Sequence, residues 1–416
     1  MQDDTPVLPR LPDDAVAEIL LRLPAKPLFR SGAVCKAWRR ITTDPRFLSR
    51  ARRHPASIIL HTYLDAATTP RPRSNSNDTP AAAVEDVALD ALPISLDEAD
   101  RRRLIRYPKT PLAKRAHCRL LASCDGVLLF KKDDEWLYLL CNPIRRQWAE
   151  LPRLPDECRM DSDPEYAFYF HQPSGEFRLL CCSLTHRHRV WYVVSTGAAG
   201  PRHVKANGVP ADLITEFIRP LFSTTTIPVA LHGNVHWPPL WRRFSTGGTQ
   251  SAGTQMMAFN TVSETFRQMP GPSSTTPTMV KLFEMGGLLA AADFGEDKHV
   301  DLWFLEDYDA GRWERRHRVT SPWKHGNNRS VRGSRGLHSV AAAGDEEGNV
   351  ILGNGDGLVV YDVRRGKTVR TVDSVELQKS TAFVSRHVFK GSLAQARHSC
   401  FVTRPPADFP LIHSWG

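Results

Sequence analysis

The sequence predicts an α+β multidomain chain, a small three-helix head followed by a large all-β body, and three observations carry that expectation. Helical spacing of apolar residues is confined to roughly the first fifty residues. β-type runs dominate from Ser57 onward, and two turn signals recur in fixed order along them. At 416 residues, 41% hydrophobic and 24% charged, the chain is long enough for more than one core.

The first helix is read from LPDDAVAEILLRLP, residues 11–24. At 100° per residue, Val16, Ile19, Leu20 and Leu23 fall within about 100°. Ala17 and Leu21 widen the apolar arc to roughly 200°, whereas a helix covering one small core needs about half that. Pro12 and Asp13 suit its start, because Asp can cap free amides and acidic residues favour the positive end of the dipole. Pro24 ends it. A second helix is expected to open at Pro27, run through Leu28 and Phe29 and weaken at Gly32. The third carries Val34, Cys35, Trp38 and Ile41 on one face and stops near Asp44-Pro45.

These helices hold more oil-like surface than they can shelter. Val16, Ile19, Leu20, Leu21, Leu23, Leu28, Phe29, Val34, Trp38, Ile41, Phe47 and Leu48 are too many for a unit of about 45 residues to enclose. Each large apolar side chain is worth roughly 1.5–3 kcal/mol when buried, so those left outside mark a docking surface. The alternative is that the head packs on the β-body. The charged RARRHP that follows reads instead as a hinge, residues 51–56.

The body opens with SIILHTYL, a first strand over 57–64. ATTPRPRSNSNDTPAAAVED, rich in Pro, Ser, Thr and Ala, reads as a disordered insertion over 65–94. Ser95-Leu96-Asp97-Glu98 resembles a capping box for a short helix over 96–105. The β-domain proper is placed at 95–416, with GVLLF, WLYLLC, YAFYF, FRLLCC and VWYVV as strands. One turn signal is Asn142-PIRRQ-Trp148, Asn260-TVSET-Phe266, Asp307-YDAGR-Trp313 and Asp362-VRRGK-Thr368. The other precedes it each time, as Asp125-Gly126, His232-Gly233, Gly286-Gly287 and Gly348 before an apolar strand. A hairpin unit with the late aromatic plugging the gap to the next sheet fits both. A lone four-stranded blade cannot bury both faces, so radial stacking of six or seven blades into a β-propeller is the expected solution. A β-sandwich is the alternative.

Catalytic signatures are missing: no G-x-S-x-G, no phosphate loop, no G-x-G-x-x-G and no H-E-x-x-H. The chain is therefore read as a non-enzyme without cofactor or metal. His186-Arg187-His188 suits a hairpin tip better than a metal site. Trp136, Trp148, Trp237 and Trp313 suit blade cores better than a ligand groove. The eight cysteines lack C-x-x-C spacing and read as reduced thiols. The net charge of +10 gathers at Arg101–Arg103, Arg312–Arg318 and Arg329–Arg335. Such runs are solvated faces or anion-attracting patches, and nucleic acid is disfavoured because no aromatic stacking motif accompanies them. Neither a membrane span nor a secretory signal is seen, so a cytoplasmic and/or nuclear setting is expected.

LPDDAVAEILLRLPAKPLFRSGAVCKAWRRITTDPRF closely resembles the plant F-box motif, L-P-x-[DE]-x-x-x-E-I-L-x-R-L-P-x-K-x-L-x-x-x-x-x-V-C-K-x-W-R-x-x-I-x-x-P-x-F. It spans residues 8–50, with Pro27 and Gly32 as departures. SCDGVLLF and LYLLCNPIRRQWAELP are similar to the F-box-associated or kelch-like regions that follow it. The resemblance implies the substrate-recognition subunit of a Skp–cullin–F-box ubiquitin ligase. Its head would bind a Skp-type adaptor and through it a cullin, while the β-domain captures a protein substrate. Leu11, Pro12, Ile19, Leu20, Leu23, Pro24, Leu28, Val34, Cys35 and Trp38 match the motif and would form or support the adaptor interface. A propeller that binds a small ligand or nucleic acid, without a ligase role, is the alternative.

Overall fold

The computed structural model describes residues 11–23, 25–44, 47, 56–64, 85–94, 101–109, 118–132, 137–155, 165–184, 189–204, 227–239, 255–273, 280–294, 299–320, 341–345, 347–354, 357–373, 382–391 and 400–403. The head has three helices, α1 (Asp13–Leu21), α2 (Ala25–Ser31) and α3 (Lys36–Thr43). Pro12 stands at the N-cap of α1 and no side chain caps it. Asp13 is instead ion-paired to Arg40 of α3, which corrects the capping role expected for it. α2 opens at Ala25, two residues earlier than expected. Pro27 therefore sits in its first turn, where a missing N–H breaks no intrahelical bond. Val34 precedes α3 rather than riding on it, and the Cys35 sulfur caps α3 by accepting from the Trp38 amide at 3.5 Å.

The body contains 24 strands among the described residues, arranged in six four-stranded antiparallel sheets. In order from the innermost strand, the first blade is β24 (Ala382–Lys390), β1 (Ala56–Leu64), β2 (Glu85–Pro93) and β3 (Arg102–Lys109). The second is β4 (Cys118–Cys124), β5 (Val127–Lys132), β6 (Leu137–Asn142) and β7 (Gln147–Glu150). The third is β8 (Glu165–His171), β9 (Glu176–Leu184), β10 (Arg189–Ser195) and β11 (Arg202–Val204). The fourth is β12 (Val229–Leu231), β13 (Asn234–Trp237), β14 (Gln255–Asn260) and β15 (Thr265–Pro270). The fifth is β16 (Val280–Met285), β17 (Leu288–Asp293), β18 (His299–Asp307) and β19 (Arg312–Thr320). The sixth is β20 (Ala341–Gly344), β21 (Asn349–Asn354), β22 (Gly357–Asp362) and β23 (Lys367–Asp373).

Strands β24, β4, β8, β12, β16 and β20 line the axis, with β24 lying against both β4 and β20. A separate apolar cluster fills each of the six gaps between neighbouring blades, including the gap between the sixth and the first. The chain thus closes into a six-bladed propeller, and the sandwich alternative falls. Strand alternation explains why the apolar runs are continuous. Ile58 and Leu60 point toward the sixth blade while Ile59 between them points toward the second. Val127 and Leu129 meet the third blade, and Leu128 and Phe130 the first. Successive side chains face opposite sides of a sheet, so a blade buried on both faces has no polar positions to alternate with.

Three expectations about the start of the body are corrected. Glu85–Pro93 is a strand and Ile94 is buried, so of the insertion expected over 65–94 only its first part, which lies outside the described residues, is left. Arg102–Lys109 forms β3 where a helix over 96–105 was expected. Ala56, assigned to the hinge, is buried at the start of β1, and the β-domain begins there rather than at 95 because β1 and β2 belong to its first blade.

Both turn signals have a structural counterpart. Asp125-Gly126 joins β4 to β5 with φ of 44° and 73°, and His232-Gly233 joins β12 to β13 with 49° and 73°. Two consecutive left-handed residues give the turn that follows strand twist, and glycine adopts the second at no steric cost. The other signal closes the outer hairpin of a blade. There the Oδ1 atoms of Asn142, Asn260, Asp307 and Asp362 each accept a backbone N–H of the turn, at 2.8–3.1 Å. The late aromatics plug the gap to the preceding blade, not the next. Trp148 of the second blade is buried against the first, Phe266 of the fourth against the third, and Trp313 of the fifth half-buried against the fourth. The Trp313 indole N–H also donates to the Pro270 carbonyl at 3.0 Å. Trp237 lies in a blade core as expected, whereas Trp136 and the His186–His188 stretch lie outside the described residues.

Because strands alternate in direction, the outer hairpins and the inner hairpins of the second to sixth blades share one face of the ring, and β1 starts from that face. The head therefore joins the body on its tight-turn side. The outermost strands, such as β11 and β19, end on the opposite side.

Candidate docking surface of the head

The head core consists of Val16, Leu20, Leu28, Ile41 and Phe47, with Ala17, Leu21, Leu23 and Trp38 half-buried around it. Spacing explains the selection. Val16 and Leu20 lie one turn apart on the inner side of α1, and Ile41 faces them from α3. Thr42 returns its hydroxyl to the Trp38 carbonyl at 2.9 Å, and Ser31 donates to Leu28 O at 2.6 Å, so polar residues inside the head are satisfied locally. Five side chains fill the interior, and the surplus read from the sequence remains outside. Leu11 is 60% exposed, Ile19 50%, Val34 65% and Phe29 41%.

The ten residues matched to the motif divide accordingly. Leu11, Pro12, Ile19, Val34 and Cys35 are exposed; Leu23 and Trp38 are half-buried; Leu20 and Leu28 are core; Pro24 lies outside the described residues. Leu20 and Leu28 can thus support a surface but not form one. Phe29 was missed as a special position: its ring receives the Arg145 guanidinium 5.3 Å from its centre, and Ile144 joins the head cluster. The β6–β7 turn therefore covers part of the surplus, and the rest stays open.

Residues 8–50 match the F-box domain, and residues 97–345 match the F-box associated beta propeller domain. The chain belongs to this family. An F-box/kelch-repeat protein of Arabidopsis thaliana is 20% identical over 310 residues, covering 72% of this chain and 76% of the relative. An F-box protein of the same plant is 22% identical over 326 residues, covering 72% and 70%. Among solved structures, the beta-propeller domain of Cps50 (Swd1) from Myceliophteria thermophila aligns at a TM-score of 0.35 and 11% identity, covering 69% of this chain and 83% of that one.

The arginine clusters on the F-box-associated propeller are engaged within it. Arg101 and Arg103 both clasp the buried Asp90 carboxylate, at 2.8 and 2.6 Å, and Arg101 also donates to Thr62 at 2.7 Å. On β19, Arg315 and Arg318 hold Asp301 at 3.1 and 2.7 Å, and their hydrogen bonds keep its carboxyl below the ordinary range against the opposing effect of burial. Arg316 pairs with Glu306 at 2.5 Å and lies over the Phe304 ring. Two of the three runs read as anion-attracting faces are thus largely satisfied by acids on neighbouring strands; Arg329–Arg335 lies outside the described residues.

One histidine is held as a structural tie. His236 of β13 is buried, with Nδ1 donating to the Val229 carbonyl at 3.1 Å and Nε2 accepting from the Tyr308 hydroxyl at 2.8 Å. Tyr308 belongs to the outer turn of the fifth blade, and Arg267 of the fourth covers its ring at 4.7 Å. Burial pushes the His236 pKa down to about 4, so the ring is neutral near pH 7.

Proposed function

We propose that this protein is the substrate-recognition subunit of a Skp–cullin–F-box ubiquitin ligase, working in the cytoplasm, the nucleus or both. The observation that carries the reading is the exposure of Leu11, Ile19 and Val34 on a head whose own core is already filled. Apolar side chains of a Skp-type adaptor's helices would cover them, in the manner of a helix set into an apolar groove. A cullin then joins through the adaptor. Substrate is taken by the propeller, on the side turned away from the head. The chain supplies no acid, base or nucleophile in this scheme, because the conjugating enzyme carries the reactive thioester and the receptor contributes proximity alone. The pairing of Arg101, Arg103, Arg315, Arg316 and Arg318 with internal acids favours this over nucleic-acid binding.

The test is adaptor binding by the full chain, measured by calorimetry. Ile19→Asp and Val34→Asp are expected to weaken binding at least about tenfold each with helical content unchanged. Undiminished affinity in both variants would overturn the reading. Leu20→Asp is expected to abolish binding by a different route, through loss of the helical signal of the head, since it places a charge in the core.

A further inference from the structure

Among the described residues, the β6–β7 turn, Pro143 to Arg146, brings the propeller into contact with the head. Ile144 packs into the cluster of Val16, Leu20, Leu28, Ile41 and Phe47, and Arg145 covers one side of the Phe29 ring. The turn is stiffly held. Asn142 Oδ1 accepts the Arg145 amide at 3.0 Å, and Arg146 closes it in the left-handed region at φ 56°. Two residues later Trp148 is fully buried between the first and second blades, and its backbone exchanges two hydrogen bonds with Val402, at 2.8 and 2.7 Å. The neighbouring Phe401 is anchored edge-on to Phe177, with ring centres 6.2 Å apart. A late segment of the chain thus braces β7 from its outer edge, directly beside the residues that touch the head.

We propose that this turn is a seat holding the F-box at a fixed attitude to the propeller, with Ile144 and Arg145 as positioning residues. Apart from the head, Ile144 would keep only its contact with the cluster between the first and second blades and the whole Phe29 ring would join the exposed surplus, so the two surfaces gain by meeting. The consequence rests on the receptor reading above. A seated head presents the adaptor on one side and the substrate on the other at a defined separation, which sets the local concentration of substrate lysines at the conjugating enzyme.

The seat is tested in the full chain by trypsin cleavage after Arg52 or Arg53, between head and β1, together with small-angle scattering of the adaptor complex. Arg145→Ala is expected to speed cleavage about 2–5-fold, the range of a cation–π contact, and Ile144→Asp about tenfold, as for a half-buried aliphatic side chain. Both should enlarge the maximum dimension of the complex while leaving adaptor affinity unchanged, and Arg145→Ala should also leave propeller melting unchanged, whereas Ile144→Asp removes a contact of the first and second blades too. Phe29→Ala should match Arg145→Ala, and the double variant should be no faster than either alone, because a shared contact is lost only once. Wild-type cleavage rates in Ile144→Asp and Phe29→Ala would overturn the proposal; if Ile144→Asp fails to fold, the Phe29 and Arg145 cycle decides it. A wild-type chain that binds no adaptor yet shows these cleavage changes would sink the receptor reading and leave the seat standing.

Discussion

Head and propeller face the same difficulty, apolar side chains in excess of what one element can shelter, and they resolve it in opposite ways. Each blade passes its surplus to the neighbours on both sides, so that alternating residues such as Ile58 and Ile59 are both buried. Since the sixth blade meets the first, every gap between blades is filled, and the large apolar residues left exposed on the propeller, such as Val262 and Val369, stand singly. The head has too few layers to close on itself. Its five-residue core leaves Leu11, Ile19 and Val34 outside, and among the described residues the β6–β7 turn gives partial cover. Closure distinguishes a scaffold from a coupling part.

The comparison can be broken most severely at the closure itself. A chain ending at residue 381 lacks β24, which pairs with β1 and lines the axis against β4 and β20. It is expected to lose the cooperative thermal transition of the propeller entirely, as seen by calorimetry; retention of a single sharp transition would show that closure is dispensable. A smaller effect is expected from one gap. Trp148→Ala empties the space between the first and second blades and should cost about 3–5 kcal/mol in urea unfolding, with Trp313→Ala costing less because that ring is half-buried.

Acid provides a milder probe of a single tie between blades. His236 has its pKa lowered to about 4 in the folded chain, against about 6.5 when unfolded. Above pH 6.5 both states are neutral there and the histidine adds no pH dependence. As pH falls from 6.5 toward 4 only the unfolded state takes the proton, so stability is lost across that window, by up to about 3 kcal/mol. His236→Gln should be less stable at pH 7 and should show a flatter decline between pH 6.5 and 4 in denaturant titrations.

How much of this was legible follows from where the determining interactions lie. The turns were readable because their constraints are local: Asp125-Gly126 needs two left-handed residues, and Asn142 accepts an amide three residues on. The third blade escaped the pattern because its outer hairpin opens on Ser195, whose hydroxyl accepts the Gly197 amide at 3.3 Å in the place of an Asn or Asp, and its inner hairpin is a longer turn in which His171 Nδ1 accepts the Ser174 amide at 3.3 Å. The strand Glu85–Pro93 was hidden by its acids, since Asp90 reads as solvent-facing until Arg101 and Arg103 arrive to neutralise it. The same pairing hid the role of the arginine runs, whose partners stand on other strands. In the head, the motif identified the right helices but could not sort Leu20 and Leu28 from Ile19 and Val34, which depends on how three helices pack. Nothing local marked Phe29, whose contact comes from a turn more than a hundred residues away.

The joint between β24 and β1 has a bearing on how the protein is made. Residue 58 pairs with residue 388, so β1 leaves the ribosome with one edge bare and waits for a strand made about 330 residues later. At 5–20 residues per second the delay is roughly 15–60 s, far longer than a hairpin needs to form. During translation the half-built ring exposes a sticky strand edge that holdase chaperones are suited to cover, and the nascent protein should depend on them until β24 is made.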